Sequence, residues 1–180
     1  MTFSERTRAK RKIRLISELT EPVSEEISLP ISIREATISD LEEVYKIELE
    51  CFADDSFPKR LLETFLTSPE CVTLIAVSDG EPLGFIAGSV EKLNEEPAGH
   101  ISTLNVKRDQ RRKGIGRRLL DAFEVALTER GVRTCFLEVR ANNIAARNLY
   151  LKQGYRPLQK LRNYYGIGAD GLRLKKNLVA

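Results

Sequence analysis

The chain has 180 residues, of which 42% are hydrophobic and 31% charged, and its formal net charge is +3. This length suffices for one domain with a full core, and the composition is typical of a globular protein. No apolar run approaches the roughly 20 residues of a bilayer-spanning helix, and the charged N-terminus lacks the apolar stretch of a secretory signal. Cys51, Cys71 and Cys135 are odd in number and far apart, which argues against a disulfide framework or a zinc site. We therefore expect a cytoplasmic protein that does not enter the membrane.

The first thirty residues differ in composition from the rest. Six cations fall within the nine residues from Arg6 to Arg14, and a mixed segment with Pro22 and Pro30 follows. One interpretation is a solvated arm or a loosely attached helix. The other is contact with an acidic surface such as ribosomal RNA. We predict a basic N-terminal extension over residues 1–30 and one folded domain over residues 31–180.

The predicted elements of the domain begin with a strand and two helices. Ile31–Arg34 alternates between apolar and polar residues, as a strand does. Ser39 and Asp40 can cap a helix. The buried face of that helix would contain Leu41, Val44, Tyr45, Ile47 and Leu49. Pro58 fits the first turn of a second helix, which we expect to end near Leu66.

Three strands follow these helices. Val72–Val77 and Leu83–Val90 are separated by a segment that contains Asp79 and Gly80, a pair typical of hairpin turns. We predict a polar loop over Asn94–Gly99 and a third strand over His100–Val106. Period-two alternation would place on one face of this strand His100, Ser102, Leu104 and Val106.

In the second half, two helices alternate with shorter strands. The first of these helices is amphipathic and stops at Gly131; its apolar face would contain Leu119, Leu120, Phe123, Ala126 and Leu127. Cys135–Val139 is predicted as a buried strand. Asn142 or Asn143 caps the next helix, which ends near Gln153. Two closing strands are predicted, over Tyr155–Leu161 and Leu172–Leu178. Because helices and strands alternate only partly, we predict a mixed α/β fold around one sheet.

A basic, glycine-containing turn lies between the third of these strands and the amphipathic helix. Arg111, Arg112 and Lys113 precede Gly114 and Gly116. Glycines at such a turn let successive N–H groups point to one spot, and the helix N-terminus adds unpaired donors and the positive end of a dipole. The pattern favours a pyrophosphate site. The alternative is a basic surface turn.

The run from Arg111 to Gly116 matches the Gln/Arg-x-x-Gly-x-Gly/Ala turn of the GNAT superfamily of acetyl-CoA-dependent N-acetyltransferases, which the chain resembles. Leu137–Asn143, continuing to Tyr150 and Tyr155, looks like the second half of a RimI-type protein N-terminal acetyltransferase. Arg162–Tyr165 resembles the acceptor loop of that subgroup. The resemblance covers about residues 31–178. It implies a mixed, mostly antiparallel sheet of about seven strands flanked by about four helices.

The resemblance makes acetyl-CoA the co-substrate. Leu104 and Val106 would present their backbone to the pantetheine, and Asn143 would lie near the same arm. The pyrophosphate would be held by Arg112, Lys113, Gly114, Ile115, Gly116 and Arg117. Tyr150 would bind the cofactor and protonate the departing thiolate, because a phenol pKa of about 10 is close to that of a thiol. The alternative for Tyr150 is a tyrosine of the core.

Two residues are candidates for the general base. Glu138 is a charge in an otherwise apolar strand, where a carboxylate needs a partner or a function. The resemblance makes it the base, acting through water. His100 is the second candidate, because a similar histidine in archaeal-type relatives lies close to the acceptor amine; otherwise it is a surface residue. Cys135 could support a ping-pong route, but an apolar-flanked cysteine is more often a core residue. No metal is expected.

Four aromatic residues would frame the acceptor groove: Phe52, Phe57, Tyr164 and Tyr165. The chain departs from its relatives after this point. They usually carry an acidic pair before an apolar last strand, whereas this chain has only Asp170, followed by Arg173, Lys175 and Lys176. Acceptor preference is therefore the least transferable implication of the resemblance.

The implied function is direct transfer of the acetyl group from acetyl-CoA to the α-amino group of protein N-termini in a ternary complex. A ribosomal protein is one candidate acceptor. An α-amino group has a pKa near 8, so roughly a tenth of it is neutral at pH 7, and a weak base suffices. The alternatives are a GNAT enzyme for a small amine or a lysine side chain, and a non-catalytic module that binds CoA or RNA.

Overall fold

The computed structural model describes residues 30–93 and 95–178. The predicted basic extension therefore lies, except for Pro30, outside the described residues. The strands are β1 (Ser32–Glu35), β2 (Cys71–Ser78), β3 (Glu81–Leu93), β4 (Glu96–Val106), β5 (Thr134–Arg140), β6 (Arg156–Leu161) and β7 (Gly171–Asn177). The helices are α1 (Leu41–Phe52), α2 (Lys59–Thr67), α3 (Ile115–Glu129) and α4 (Ile144–Lys152).

In the described part of the chain, seven strands form one sheet in the order β1-β2-β3-β4-β5-β7-β6. The pair β4–β5 is parallel and the other neighbours are antiparallel. The predicted mixed, mostly antiparallel sheet with four flanking helices is confirmed. None of the helices in this part is long and apolar enough to cross a membrane.

The sheet splits between β4 and β5. The two strands pair only from Gly99 opposite Cys135 to Ile101 opposite Leu137. Beyond Ile101, β4 continues to Val106 without a partner on this side, and β5 continues to Arg140. The two strands diverge here, which leaves backbone groups of both facing an opening in the middle of the sheet.

The helices cover the two faces of the sheet with separate apolar cores. On one face, α3 and α4 contribute Leu119, Leu120, Phe123, Leu127 and Tyr150. On the other face, α1 and α2 contribute Val44, Ile47 and Leu62. α3 lies very close to the sheet because Gly88 and Gly99 have no side chain. A Cβ at Gly99 would lie 2.2 Å from Leu127 Cδ1, and one at Gly88 would lie 2.8 Å from Phe123 Cζ.

A β-bulge in β4 changes the face of one predicted site residue. Ala87 pairs with Thr103 while Gly88 pairs with Ile101, so Ser102 is an extra residue on β4. Such an insertion inverts the alternation of side chains. Leu104 packs with the α3 core, whereas His100 stacks on Phe136 on the opposite face. The predicted common face of His100 and Leu104 is therefore wrong.

β4 is also longer than the sequence indicates. It begins at Glu96, so the predicted polar loop is wrong for residues 96–99, and Asn94 lies outside the described residues. The outer end of the β3–β4 hairpin is solvent-exposed, at Glu91, Lys92, Glu95 and Glu96. An exposed two-stranded ribbon has no buried face, so it lacks the hydrophobic alternation by which strands are recognised.

Candidate active site

A cavity of about 370 Å³ occupies the opening between β4 and β5. Its walls come from both strands, from α1 and α4, and from the loops that follow α1 and β6. Seven of the predicted site residues line it: Phe52, Phe57, Leu104, Glu138, Asn143, Tyr150 and Tyr165. The other predicted residues, namely His100, Val106, Arg112–Arg117 and Tyr164, lie outside this lining.

The glycine turn begins α3 beside this cavity. Gly114 is the N-cap with φ +81°, a left-handed conformation that favours glycine, and Arg112 also has positive φ, +63°. A Cβ at Gly114 would meet nothing within 4 Å, and one at Gly116 would lie 3.5 Å from Leu149 Cδ2. The surface beside Gly114 is therefore open, whereas Gly116 packs against Leu149 and Val106. Arg111 turns away, with its Nε donating to the Val106 carbonyl at 3.1 Å.

α4 places Asn143 and Tyr150 on the same side of the cavity. Asn143 caps the helix, its Oδ1 accepting from the Ala146 N–H at 3.1 Å. Tyr150 is 6% exposed and packs edge-on against Tyr155, with ring centroids 5.6 Å apart. Burial raises the pKa of the Tyr150 phenol above its usual value of 10. At neutral pH the phenol keeps its proton and remains available as a donor.

Glu138 is held between two cationic or protonatable partners. His100 Nε2 lies 2.7 Å from Oε2 of Glu138, and Arg173 Nε donates to Oε1 at 2.6 Å. Burial alone would raise the pKa of Glu138, but the hydrogen bonds with His100 and Arg173 outweigh it and lower the pKa below 4.5. Burial would lower the pKa of His100, but its bonds with Glu138 and Glu91 raise it above 6.5. The two residues that the sequence offered as alternative bases are therefore hydrogen-bonded to each other.

A second carboxylate, Glu48, lies in the cavity wall and was not predicted from the sequence. Its residue is only 1% exposed. Oε1 accepts the Phe57 N–H at 3.0 Å, and Oε2 accepts from Asn105 Nδ2 at 2.5 Å and from Thr103 Oγ1 at 3.3 Å. Burial, which no cation offsets, raises the pKa of Glu48 above 4.5. Its position four residues after Val44, on the apolar face of α1, was the signal that could have identified it.

The loops after α1 and β6 border one side of the cavity, and both contact Arg140 at the end of β5. Arg140 Nη2 bonds Asp55 Oδ2 at 2.7 Å, and the Arg140 guanidinium lies 4.6 Å from the ring centroid of Tyr165. Burial raises the pKa of Tyr165 to about 12. Tyr164 meets Tyr165 edge-on, with ring centroids 4.9 Å apart, but is 50% exposed. Tyr165 is thus a wall of the cavity and Tyr164 lies at its rim.

A family model described as the acetyltransferase (GNAT) family matches residues 41–155, well over half of the chain. The chain belongs to the GNAT acetyltransferase family. The matched region includes the split strands, the glycine turn, Glu138 and Tyr150, and it confirms the resemblance inferred from the sequence.

Several characterised or solved GNAT proteins are similar to this one. The N-alpha-acetyltransferase of Sulfurisphaera tokodaii is 33% identical over 147 residues, which cover 77% of this chain and 87% of that protein. The N-terminal acetyltransferase A complex catalytic subunit NAA10 of Arabidopsis thaliana is 30% identical, covering 82% of this chain and 78% of that one. The ribosomal-protein-S18-alanine N-acetyltransferase of Escherichia coli superimposes with a TM-score of 0.74 at 25% identity, covering 84% and 96%.

Two other chemistries receive no support from the described residues. No group of three or more His, Cys, Asp or Glu side chains in residues 30–93 and 95–178 could hold a metal ion. Cys135 is fully buried, and burial raises the pKa of its thiol to about 12. A thiol in this environment is a weak nucleophile, since the thiolate is the reactive form.

Proposed function

We propose that this GNAT enzyme transfers the acetyl group of acetyl-CoA to the α-amino group of protein N-termini in a ternary complex. The observation that carries the proposal is that Tyr150 and Glu138 both line the cavity between β4 and β5. An acid for the leaving group and a base for the amine therefore face one space. The names of the relatives from S. tokodaii and A. thaliana agree in the type of acceptor.

The residues around the cavity fit acetyl-CoA. The first turn of α3 has backbone N–H groups without partners in the helix, and its open surface at Gly114 suits a pyrophosphate. The unpaired part of β4 offers backbone groups at Leu104 and Val106 for the amides of the pantetheine. Asn143 lies in the same wall of the cavity. Arg112, Lys113 and Arg117 add positive charge around the turn. These residues would place the thioester at the split of the sheet.

The proposed reaction is direct attack of a neutral amine on the thioester carbon. The Glu138–His100 pair takes the proton that the amine loses, and backbone N–H groups of β4 stabilise the oxyanion. When the tetrahedral intermediate collapses, the C–S bond breaks and the Tyr150 phenol protonates the thiolate. The products are an amide and coenzyme A. Phe52, Phe57, Tyr164 and Tyr165 would form the walls and rim around the acceptor residues.

Acetylation of a small amine or a lysine side chain is the second candidate function. Asp55, Arg140 and Tyr165 line the cavity and can bind the amides and carbonyls of a peptide. They therefore favour an extended peptide as the acceptor over a small amine. A non-catalytic CoA- or RNA-binding role would leave the Glu138–His100 pair without a function. The proposal includes a cytoplasmic location, a ribosomal protein as one acceptor and a ribosome contact through the basic residues 1–30.

The acceptor is tested with peptides. We expect acetylation of peptides that begin with Ser, Ala, Met-Leu or Met-Glu, at rates that rank their preference. The matched control is each peptide with its N-terminus blocked and one internal lysine left free. Mass spectrometry locates the acetyl group. Acetylation of the blocked peptides at rates equal to those of the free ones would contradict the proposal and favour a lysine acetyltransferase.

The cofactor turn is tested with two matched glycine variants. Gly114→Glu places a carboxylate at the α3 N-terminus, where it would repel a pyrophosphate, and we expect acetyl-CoA affinity to fall at least about tenfold. Gly131→Glu is the control, because Gly131 lies just past the other end of α3 with φ +77°, against +81° at Gly114, and equally open surroundings. Calorimetric titration measures both. Equal affinities of the two variants would exclude the turn as the pyrophosphate site.

A further inference from the structure

A row of polar side chains leads across the sheet from the cavity to the solvent-exposed end of the β3–β4 hairpin. Glu91 on β3, His100 on β4, Glu138 on β5 and Arg173 on β7 lie on neighbouring strands. His100 Nδ1 is 3.0 Å from Glu91 Oε1, and His100 Nε2 is 2.7 Å from Glu138 Oε2. The side chains become more exposed along the row, from 5% at Glu138 through 21% at His100 to 47% at Glu91. One imidazole therefore connects a buried carboxylate to a solvent-exposed one.

The imidazole of His100 is fixed in this bridging position. Its ring stacks on Phe136, with centroids 4.5 Å apart and an interplanar angle of 3°. Glu91 is held in turn, because Ser89 Oγ donates to its Oε1 at 2.8 Å. A neutral ring with its proton on Nδ1 can accept a proton at Nε2 and release the other from Nδ1. This transfer leaves the proton on Nε2, so a 180° flip of the ring, which keeps the same ring plane, must restore the starting tautomer before the next turnover.

The proposed reaction has a proton to export. At neutral pH most α-amino groups are protonated, so the net reaction consumes an ammonium and a thioester and yields an amide, a free thiol and one proton. The thiol takes its proton from Tyr150, which must recover one from the site. When the acceptor binds as the ammonium, Glu138 must first neutralise it and then take a second proton after the attack; one of these two protons returns to Tyr150 and the other has to reach solvent. Glu138 lines the cavity, but its side chain is only 5% exposed, so a bound acceptor would leave it little contact with water.

The charges facing His100 favour passage through the ring. Glu91 on β3 and Glu138 on β5 contact it, and Arg173 on β7 lies over Phe136 with its guanidinium carbon 5.5 Å from the ring centroid. Tyr164, in the loop after β6, is near enough to this row for Glu138, Arg173 and Glu91 to influence its pKa. Because Arg173 stabilises the anionic form of Glu138, a proton that arrives there is more stable on His100.

We propose that Glu91 is the outer end of a proton path, Glu138–His100–Glu91, which carries the proton released by the acceptor amine to solvent. The proton moves from the amine to Glu138 Oε2 and then to His100 Nε2; His100 releases the proton on Nδ1 to Glu91 Oε1, and water receives it. No bond other than N–H and O–H changes. Glu91 is a positioning residue that acts through His100, and the inference rests on the proposed function.

The test compares Glu91→Gln with Glu81→Gln, a control at the exposed far end of the same strand. We expect Glu91→Gln to lower kcat for a free N-terminal peptide about fivefold or more and to leave the acetyl-CoA Kd unchanged. Because the chain has one histidine, NMR titration reports His100 without ambiguity. Its pKa should fall in Glu91→Gln, since one of the two carboxylates is lost. Glu81→Gln should match the wild type in both measurements.

A third variant tests whether a free carboxylate can replace that of Glu91. In Glu91→Ala, added formate can supply a carboxylate near His100 Nδ1, and we expect it to restore part of kcat. If the pKa of His100 falls in Glu91→Gln but kcat stays at the wild-type value, the proposal is overturned. It is also overturned if kcat falls in Glu91→Ala and formate does not restore it. If the wild-type protein acetylates no peptide with a free N-terminus, the proposed function itself is refuted. The peptide assay described above gives this result independently of the Glu91 variants.

Discussion

Two carboxylates in the wall of one cavity, Glu48 and Glu138, have opposite electrostatic environments. Glu48 on α1 accepts hydrogen bonds from a backbone N–H, an amide and a hydroxyl, all of them neutral. Glu138 on β5 is bonded to His100 and Arg173. The pKa of Glu48 is raised by burial, and that of Glu138 is lowered because its partners outweigh burial. Burial alone therefore does not determine the pKa of a carboxylate, because its hydrogen-bonding partners can reverse the effect.

The two residues also hold different parts of the site together. Glu48 connects the loop that contains Phe57 to Asn105 and Thr103 on β4, so it fixes the acceptor side of the cavity to the central strand. Glu138 lies in the row of ionisable side chains that crosses β3, β4, β5 and β7. We interpret Glu48 as a support for the acceptor loop and Glu138 as the group that exchanges protons.

The largest expected difference is in turnover. Glu138→Gln removes the proton acceptor in the cavity and should lower kcat about 10²–10⁴-fold, the usual loss for a general base. Glu48→Gln keeps the shape and an acceptor for the Phe57 N–H, and should change kcat less than about threefold. Initial rates with saturating acetyl-CoA and varied peptide, from pH 6 to 9, measure both. Melting temperatures establish that the two variants are folded.

The opposite ranking would reverse the comparison. If Glu48→Gln abolishes turnover while Glu138→Gln does not, Glu48 is the base and Glu138 serves only to position Arg173. If neither variant affects kcat or its pH profile, the amine arrives neutral and no base is needed, which an α-amino pKa near 8 permits.

Local patterns predicted most of the fold. The Asp79-Gly80 hairpin, the amphipathic α3 and the apolar β5 are each determined by residues close in sequence, and each lies where the pattern placed it. The glycine turn was identifiable for the same reason, because Gly114 has the positive φ that such a turn requires. The partly alternating order of helices and strands sufficed to predict one mixed sheet.

The sequence could not predict the contacts that depend on the register between paired strands. The extra residue at Ser102 has no signature in the chain, yet it moves His100 to the face of Glu138. The bond between Arg173 and Glu138 exists because β7 pairs antiparallel to β5 with these two residues directly opposite. Arg173, Lys175 and Lys176 distinguish the chain from its relatives in sequence. Only the pairing of β7 with β5 shows that Arg173 contacts Glu138.

The smaller expected effect is the pH dependence of stability. An unfolded glutamate titrates near 4.5, and the folded pKa of Glu48 lies above that value. Its contribution to stability is fully present below pH 4.5 and is lost as the pH rises through the folded pKa, because the native state binds more protons there than the unfolded state. Glu138 has the reverse dependence: its contribution is present above pH 4.5 and is lost as the pH falls through its lowered pKa.

Glu48→Gln should therefore gain stability over the wild type as the pH rises from 4.5 to 8, since an amide has no charge to bury. A difference of one between folded and unfolded pKa is worth about 1.4 kcal/mol, so the gain at pH 8 measures how far the folded pKa of Glu48 lies above its unfolded value. Glu138→Gln should lose stability at pH 8, because Arg173 and His100 are left without their carboxylate. Urea unfolding at pH 4, 5, 6, 7 and 8 gives the free energies. Parallel curves for the two variants would mean that Glu48 and Glu138 are ionised alike in the folded protein, and the distinction between them would fail.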